Sequence, residues 1–203
     1  MISLKKPAAL AIALALLITA ASCSSAVKLK NDGDTGYLMD EENGLYYVYC
    51  LGHLRAAEII KSVYAKGDKG EKLYEIPGVD PREWLSENIE TMGIPFLFRE
   101  QNVKEPEFES FGTNIIHVVM TGEINIELRE ISDPELVGII VNDFASGQSG
   151  PYPEFVTDSL VLYFESEKYP GIYYVLEYLL DDRDLCYLFD RWTGRCVLCS
   201  VVF

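Results

Sequence analysis

Histidine is almost absent from this chain: only two of its 203 residues are histidines, His53 and His117. Metal sites need several ligands at short spacing, and neither histidine has a second one nearby. His117 lies within the apolar run Ile115–Val119, a pattern typical of a half-buried strand residue rather than a general base. A serine nucleophile elbow is also missing, because residues 147–150 lack the G-x-S-x-G frame. We therefore predict no catalytic residue, no metal site and no cofactor.

Basic side chains are also scarce, with 17 Lys and Arg against 32 Asp and Glu and a formal net charge of −15. Removal of residues 1–22, which contain two lysines and no acid, would leave 15 basic residues against 32 acidic ones and a charge of −17. Such a surface repels phosphate backbones, which excludes nucleic acid as a partner. It also repels anionic lipid headgroups, so contact with a membrane requires a hydrophobic anchor.

The N-terminal apolar run is too short to span a bilayer, which takes about 20 residues. This run, Ala8–Ala21, has 14 residues and follows Lys5 and Lys6. It ends in small residues, which a signal peptidase requires in its narrow site. The order of a positive segment, a short apolar segment and small residues predicts a cleaved signal peptide over residues 1–22.

The segment Ala20-Ala21-Ser22-Cys23 resembles the lipobox of bacterial lipoproteins. In that family the cysteine thiol receives a diacylglyceryl group, and the cysteine becomes the first residue of the mature chain. The resemblance implies that Cys23 is lipidated and that acyl chains hold the protein on the extracytoplasmic face of the cell membrane, at about 0.8 kcal/mol per buried methylene. The family usually has leucine where Ala20 stands, and Ala20 with Ser22 also suits the ordinary signal peptidase. Secretion without a lipid is the alternative.

The chain after the signal peptide divides into a tether and one domain. Residues 24–36 are polar and contain glycine, a composition typical of flexible linkers. We therefore predict a flexible tether over residues 23–36. The remaining residues, 37–203, are rich in aromatic and β-branched side chains and are numerous enough for a single domain with its own core.

The apolar pattern of this domain predicts an α+β fold with a mostly antiparallel β-sheet. An amphipathic helix is predicted over residues 132–146, because Ser132 and Glu135 form a capping box ahead of an apolar face. One or two short helices are also predicted. One covers residues 54–66, where the pattern is ambiguous between helix and strand, and the other opens at Asp80-Pro81.

Hairpins and a meander account for the predicted strands. Asn43-Gly44 is a strong turn signal between two apolar strands, and Thr121-Gly122 separates another pair. The last 45 residues alternate strands with short turns, which indicates an antiparallel meander. Its strands are predicted at Ser159–Phe164, Ile172–Leu180, Leu185–Phe189 and Cys196–Val202.

Five segments of the domain carry a second resemblance: Leu73–Ile76, Asp80–Leu85, Ser166–Tyr174, Tyr187–Arg191 and Thr193–Val197. They resemble segments of uncharacterised lipoproteins of clostridial-type Firmicutes. The resemblance implies a bacterial source and an exported location. It implies no activity.

Besides the lipobox cysteine, the chain has four cysteines, Cys50, Cys186, Cys196 and Cys199. An even number in an exported chain predicts disulfides. If Trp192-Thr193 is the centre of the last turn, Cys186 faces Cys199 at a distance that a disulfide can span. We predict a Cys186–Cys199 bond and, from the two cysteines left over, a Cys50–Cys196 bond. Free thiols are the alternative.

Cys196 and Cys199 also form a C-x-x-C motif. A redox motif of this kind opens a helix, whereas here it lies in a predicted strand. A zinc site would need two further ligands, for which the other two cysteines and the two histidines are available. The acidic stretches at residues 40–44 and 181–184 lack the spacing of a calcium-binding loop and are typical of turns.

Tyrosine is frequent, with 13 residues. In Ile172–Tyr178, strand alternation puts Tyr174 on one face of the sheet and Tyr173 on the other. Most tyrosines are expected to pack within the sheet, and exposed ones would make a contact surface. The leading hypothesis is a non-enzymatic, lipid-anchored extracytoplasmic module that binds a protein or glycan through its sheet face. The alternative is an extracytoplasmic hydrolase of unrecognised type that uses His117 with a carboxylate.

Overall fold

The computed structural model describes residues 26–33, 35–50, 52–87 and 97–203. The predicted signal peptide and Cys23 lie outside these residues. The described residues form β-strands and two α-helices. In chain order the strands are β1 (Val27–Asn31), β2 (Leu38–Asp40), β3 (Leu45–Tyr49), β4 (Leu54–Ala56), β5 (Val63–Gly67), β6 (Lys72–Tyr74), β7 (Trp84–Ser86), β8 (Leu97–Glu100), β9 (Ile115–Met120), β10 (Ile126–Ile131), β11 (Val156–Glu165), β12 (Ile172–Asp181), β13 (Cys186–Asp190) and β14 (Arg195–Cys199), and the helices are α1 (Phe108–Phe111) and α2 (Pro134–Ser146).

Seven of the strands form a closed barrel in the order β1-β2-β3-β8-β7-β6-β5. Parallel pairing of β1 with β5 closes the barrel, and the other neighbours are antiparallel. The hairpin between β2 and β3 turns at Gly44, whose φ of 66° suits the predicted Asn-Gly turn. The barrel core is apolar and consists of Leu29, Leu38, Tyr47, Ala65, Leu73, Leu85 and Phe98.

Strand β1 corrects the prediction of a flexible tether over residues 23–36. Residues 27–31 pair with both β2 and β5, and Leu29 is 2 % exposed in the barrel core. The alternation of Val27 and Leu29 with two lysines is a strand pattern. It is short and flanked by polar residues, so composition alone indicated a linker.

The other sheet has the order β10-β9-β11-β12-β13-β14, and β4 pairs with the start of β12. All its pairings are antiparallel, which confirms the predicted meander of the last four strands. A second and larger hydrophobic core, which we call the main core, lies against the face of this sheet that carries Leu162 and Leu176. Helix α2 contributes Val137, Ile140 and Phe144 to it. We call that face the inner face of the sheet and the opposite one the outer face.

The predicted fold class is right in its antiparallel sheet and wrong in the proportion of helix to strand. The protein is mostly β, with a closed barrel that the predicted α+β meander did not include. The helix predicted over residues 54–66 is wrong, because this stretch begins with strand β4, ends in strand β5 and is not helical between them. The helix predicted at Asp80 is also wrong: Asp80 accepts a hydrogen bond from the Arg82 N–H (2.9 Å) in a turn, and Trp84 begins β7. β-Branched and aromatic side chains favour strands once partner strands are available.

Helix α2 confirms the predicted helix over residues 132–146, with a different cap. The carboxylate of Asp133, rather than Ser132, accepts hydrogen bonds from the backbone N–H groups of Glu135 and Leu136, both at 3.0 Å. Among the residues described, neither helix is long and apolar enough to cross a membrane.

Candidate functional site

The last hairpin has the predicted register, with Cys186 directly opposite Cys199. Both are free thiols in the structure and lie in the main core with Cys50. The Tyr178 hydroxyl donates a hydrogen bond to the Cys186 sulfur at 2.7 Å. Burial raises the pKa of the Cys199 thiol to about 11 and that of Cys50 to about 12, so both thiols are protonated at neutral pH.

The predicted Cys50–Cys196 disulfide is wrong, because the two residues belong to different clusters. Cys196 packs with Leu179 and Tyr187 on the outer face, whereas Cys50 lies in the main core. Strand alternation also separates Cys196 from Cys199, which lies in the main core. The C-x-x-C motif therefore presents its thiols to opposite faces and does not pair two ligands or two redox thiols.

In the acidic turns, aspartate side chains accept hydrogen bonds from backbone N–H groups of the same turn. Asp181 is 2 % exposed and accepts hydrogen bonds from the N–H groups of Arg183 and Leu185, both at 2.9 Å, and from the Arg183 guanidinium at 2.8 Å. Burial opposes ionisation of Asp181, but these hydrogen bonds outweigh it and lower the pKa to about 2. Asp40 accepts equivalent bonds from the N–H groups of residues 42 and 43. Both carboxylates therefore stabilise turns, as predicted.

His53 lines a cavity of about 740 Å³ beside the start of α1. Its ring stacks on Tyr174 with the centroids 4.8 Å apart, and its Nε2 is 3.8 Å from a carboxylate oxygen of Glu105. Its Nδ1 is buried and has no hydrogen-bond partner among the described residues. Burial lowers the pKa of His53, and Glu105 is itself paired with Arg99 at 3.0 Å. His53 is therefore a neutral, stacked ring in the wall of the cavity.

His117 lies on the outer face, on β9, and both its ring nitrogens contact carboxylates. Nδ1 is 3.3 Å from a carboxylate oxygen of Glu127, and Nε2 is 3.0 Å from one of Glu165. Burial alone would lower the pKa of His117, but the hydrogen bonds with Glu165 and Glu127 outweigh it and raise the pKa. A carboxylate accepts and does not donate, so this geometry suits an imidazolium that donates both N–H groups.

A cleft of about 870 Å³ runs along the outer face beside His117, and we call it the outer cleft. Its floor carries Tyr163 and Tyr173, whose ring centroids are 5.5 Å apart, and the His117 ring is 5.4 Å from that of Tyr173. Burial raises the pKa of both phenols, so each stays neutral and can donate a hydrogen bond. The predicted alternation is confirmed, because Tyr174 is buried in the main core.

An exposed aromatic side chain and several charged side chains also line the outer cleft. Trp192 is 43 % exposed and lies against Gly52, where a Cβ atom would overlap the indole ring. Arg191 pairs with Glu177 at 2.6 Å. The guanidinium of Arg55, which also lines the cleft, donates a hydrogen bond to a neighbouring backbone carbonyl at 2.8 Å and has no ion-pair partner within the described part of the chain. The cleft therefore combines ring faces with hydrogen-bond donors and acceptors.

No known family matches this chain. No protein-family profile fits it, and no curated protein or solved structure is significantly similar to it. The resemblances to the lipobox and to uncharacterised lipoproteins thus stay predictions. Sequence patterns singled out His117 and Tyr173 but did not predict the outer cleft. The walls of the cleft come from β4, from β11 and from the turn after β13, which are far apart in the chain.

Proposed function

We propose that this protein is a lipid-anchored extracytoplasmic module that binds a glycan in the outer cleft and catalyses no reaction. The observation that carries this proposal is the open cleft of about 870 Å³ with neutral phenols on its floor and an exposed indole at its rim. Sites for small ligands have volumes of about 300–1,000 Å³, whereas a stable protein interface is a broad surface of about 800 Å² per partner. The size of the cleft favours a glycan over a protein.

The side chains of the cleft suit a sugar ring. The faces of Tyr163, Tyr173 and Trp192 offer apolar contact to the carbon-bound hydrogens of a sugar. Arg55 and Glu177 at the edges offer a donor and an acceptor for hydroxyl groups. These groups recognise a ligand without transferring any atom to it.

An oligosaccharide array tests the proposal, with purified full-length protein in detergent and bacterial cell-surface glycans as probes. Trp192→Ala and Tyr173→Ala should each lower the affinity for a bound glycan about tenfold, because a central aromatic side chain contributes more than about 1 kcal/mol to binding. Phe155→Ala is the matched control, since Phe155 is 61 % exposed and does not line the cleft. If all variants bind the glycan with equal affinity, the outer cleft is not the glycan-binding site.

A protein partner is the competing outcome. A photoreactive cross-linker at residue 173 would then join the protein to one envelope protein, and the array would show no bound glycan. That result would identify the ligand as a protein instead of a glycan, with the outer cleft still the binding site.

The lipid anchor is a separate part of the proposal, supported by the lipobox resemblance and the signal peptide pattern. Intact-mass analysis of the protein from the membrane fraction should show an acylated N-terminal Cys23. The Cys23→Ser variant should not be acylated. A mature chain with an unmodified Cys23, or with a different first residue, would contradict the lipid anchor and support secretion without a lipid.

A hydrolase is the second candidate, and the position of His117 in the outer cleft beside two carboxylates favours it. With both nitrogens donating, His117 is able to act as an acid but holds no free lone pair for a base. Turnover of chromogenic esters or glycosides that disappears in His117→Gln would support the hydrolase and contradict the binding module. The binding proposal expects no such turnover.

A further inference from the structure

Strand β10 contains a bulge that changes which of its side chains share the outer face. Between Glu127 and Arg129 the pairing with β9 shifts by one residue, so that Glu130 lies directly opposite His117. In a regular strand, residues three apart point to opposite faces. The extra residue at Leu128 returns both glutamates to the face that carries His117.

This bulge brings three metal-ligating side chains together. The ligand atoms of His117, Glu127 and Glu130 all lie within 4.8 Å of one another. The other ring nitrogen of His117, Nε2, is meanwhile bonded to Glu165 at 3.0 Å. Histidines that bind metals usually donate their second N–H to a carboxylate, which fixes the tautomer and the ring orientation. Glu165 thus leaves Nδ1 as the nitrogen that faces the two glutamates.

The group has more negative charge than its neighbours neutralise. Within the described residues, the carboxylates of Glu127 and Glu165 are hydrogen-bonded only to the His117 ring, and the carboxylate of Glu130 has no hydrogen-bond or ion-pair partner. No Lys or Arg of the described residues lies within ion-pair distance of these three carboxylates. One imidazolium against three carboxylates leaves an excess of two negative charges, which favours a divalent cation.

We propose that His117, Glu127 and Glu130 form a binding site for a divalent transition-metal ion of the zinc class. A set of one imidazole nitrogen and two carboxylates suits Zn²⁺, whereas Ca²⁺ and Mg²⁺ prefer oxygen ligands alone. Ligands of Zn²⁺ lie about 2.1 Å from the metal and therefore about 3.4 Å from one another in a tetrahedral site, a spacing that the exposed glutamates can reach by side-chain rotation. Three protein ligands leave a coordination position open, and His117 and Glu127 both line the outer cleft.

Calorimetric titration of the detergent-solubilised full-length protein with Zn²⁺ tests the site, after treatment with a chelator. One Zn²⁺ should bind per chain. Glu130→Gln and Glu127→Gln should each weaken binding by at least about tenfold, and Glu165→Gln by about 10–100-fold, as expected for an outer carboxylate that orients a ligand. Glu154→Gln is the matched control: Glu154 is exposed, lies outside the cluster and should bind Zn²⁺ like the wild type.

Two further readouts distinguish this site from a structural role of Glu130 and from a metal bound at the cysteines. Thermal unfolding without metal should be the same for Glu130→Gln as for the wild type, because Glu130 is exposed and without a partner among the described residues. The absorption spectrum of bound Co²⁺ should show nitrogen and oxygen ligation. A thiolate band would place the metal at the cysteines and overturn the proposal, as would an absence of saturable Zn²⁺ binding or equal affinities of the glutamate variants and the control.

Discussion

Replacement of Leu29 by alanine measures whether the N-terminal segment is a tether or part of the barrel. Leu29 is 2 % exposed and belongs to the barrel core with Leu38, Tyr47 and Ala65. A buried Leu→Ala change costs about 2–5 kcal/mol, from lost apolar burial and from the cavity left behind. We expect about 3 kcal/mol, because β1 is a short strand whose neighbours can partly close the cavity.

The assay is urea unfolding followed by the intrinsic fluorescence of the tryptophans, together with a thermal melt. For a chain of this length, 1 kcal/mol shifts the melting temperature by about 2–4 °C, so Leu29→Ala should lower it by roughly 6–12 °C. Lys28→Ala is the control, since Lys28 is exposed on the same strand and its loss should change stability by less than about 0.5 kcal/mol. If Leu29→Ala is as neutral as Lys28→Ala, the flexible tether is right and the closed barrel is wrong.

Three further predictions concern the cleft, the last turns and the thiols. Gly52→Ala should displace Trp192 and change its fluorescence, because a Cβ atom overlaps the indole. Asp181→Asn should flatten the acid limb of the stability profile. The pKa of Asp181 is lowered from 3.8 to about 2, so its stabilising contribution is complete above about pH 5 and is lost as the pH falls towards 2. Protein purified without reductant should contain a Cys186–Cys199 disulfide, since their register allows one.

Each of these predictions has a matched control or a contradicting result. Gly150→Ala has open space around its added Cβ atom and should leave the fluorescence unchanged. Asp182→Asn, an exposed neighbour in the same turn, should keep the wild-type acid limb. Apart from Cys23, four thiols that react after denaturation without reductant would contradict the disulfide, and two would support it.

The parts of the fold that the sequence predicted depend on contacts between near neighbours in the chain. The Asn43-Gly44 turn, helix α2 and the register of the last hairpin all follow from residues within one hairpin or one helix. Trp192-Thr193 at the centre of the last turn was enough to place Cys186 opposite Cys199. Local turn chemistry and capping determine such elements before any distant strand is in place.

The barrel was missed because its closure is not local. Strand β1 pairs with β5 in parallel, with Val27 opposite Ala65, and no local turn signals such a partner. Several of the barrel strands are also very short, such as Trp84–Ser86, and three residues are too few to show an alternation. Residues 54–66 illustrate the consequence, since their spacing fits a helix until partner strands are available.

The interpretation of His117 changes for a related reason. The sequence identified it as a half-buried strand histidine, and its side chain is indeed only 15 % exposed. Its chemistry depends on Glu165 from β11 and on a bulge in β10, neither of which the sequence around residue 117 encodes. Without the bulge, Glu127 and Glu130 would point to opposite faces and the histidine would face one glutamate fewer. A bulge that gathers ligands at the wall of the outer cleft links the proposed metal site to the proposed binding site, because an open coordination position there would contact the same ligand as Tyr173.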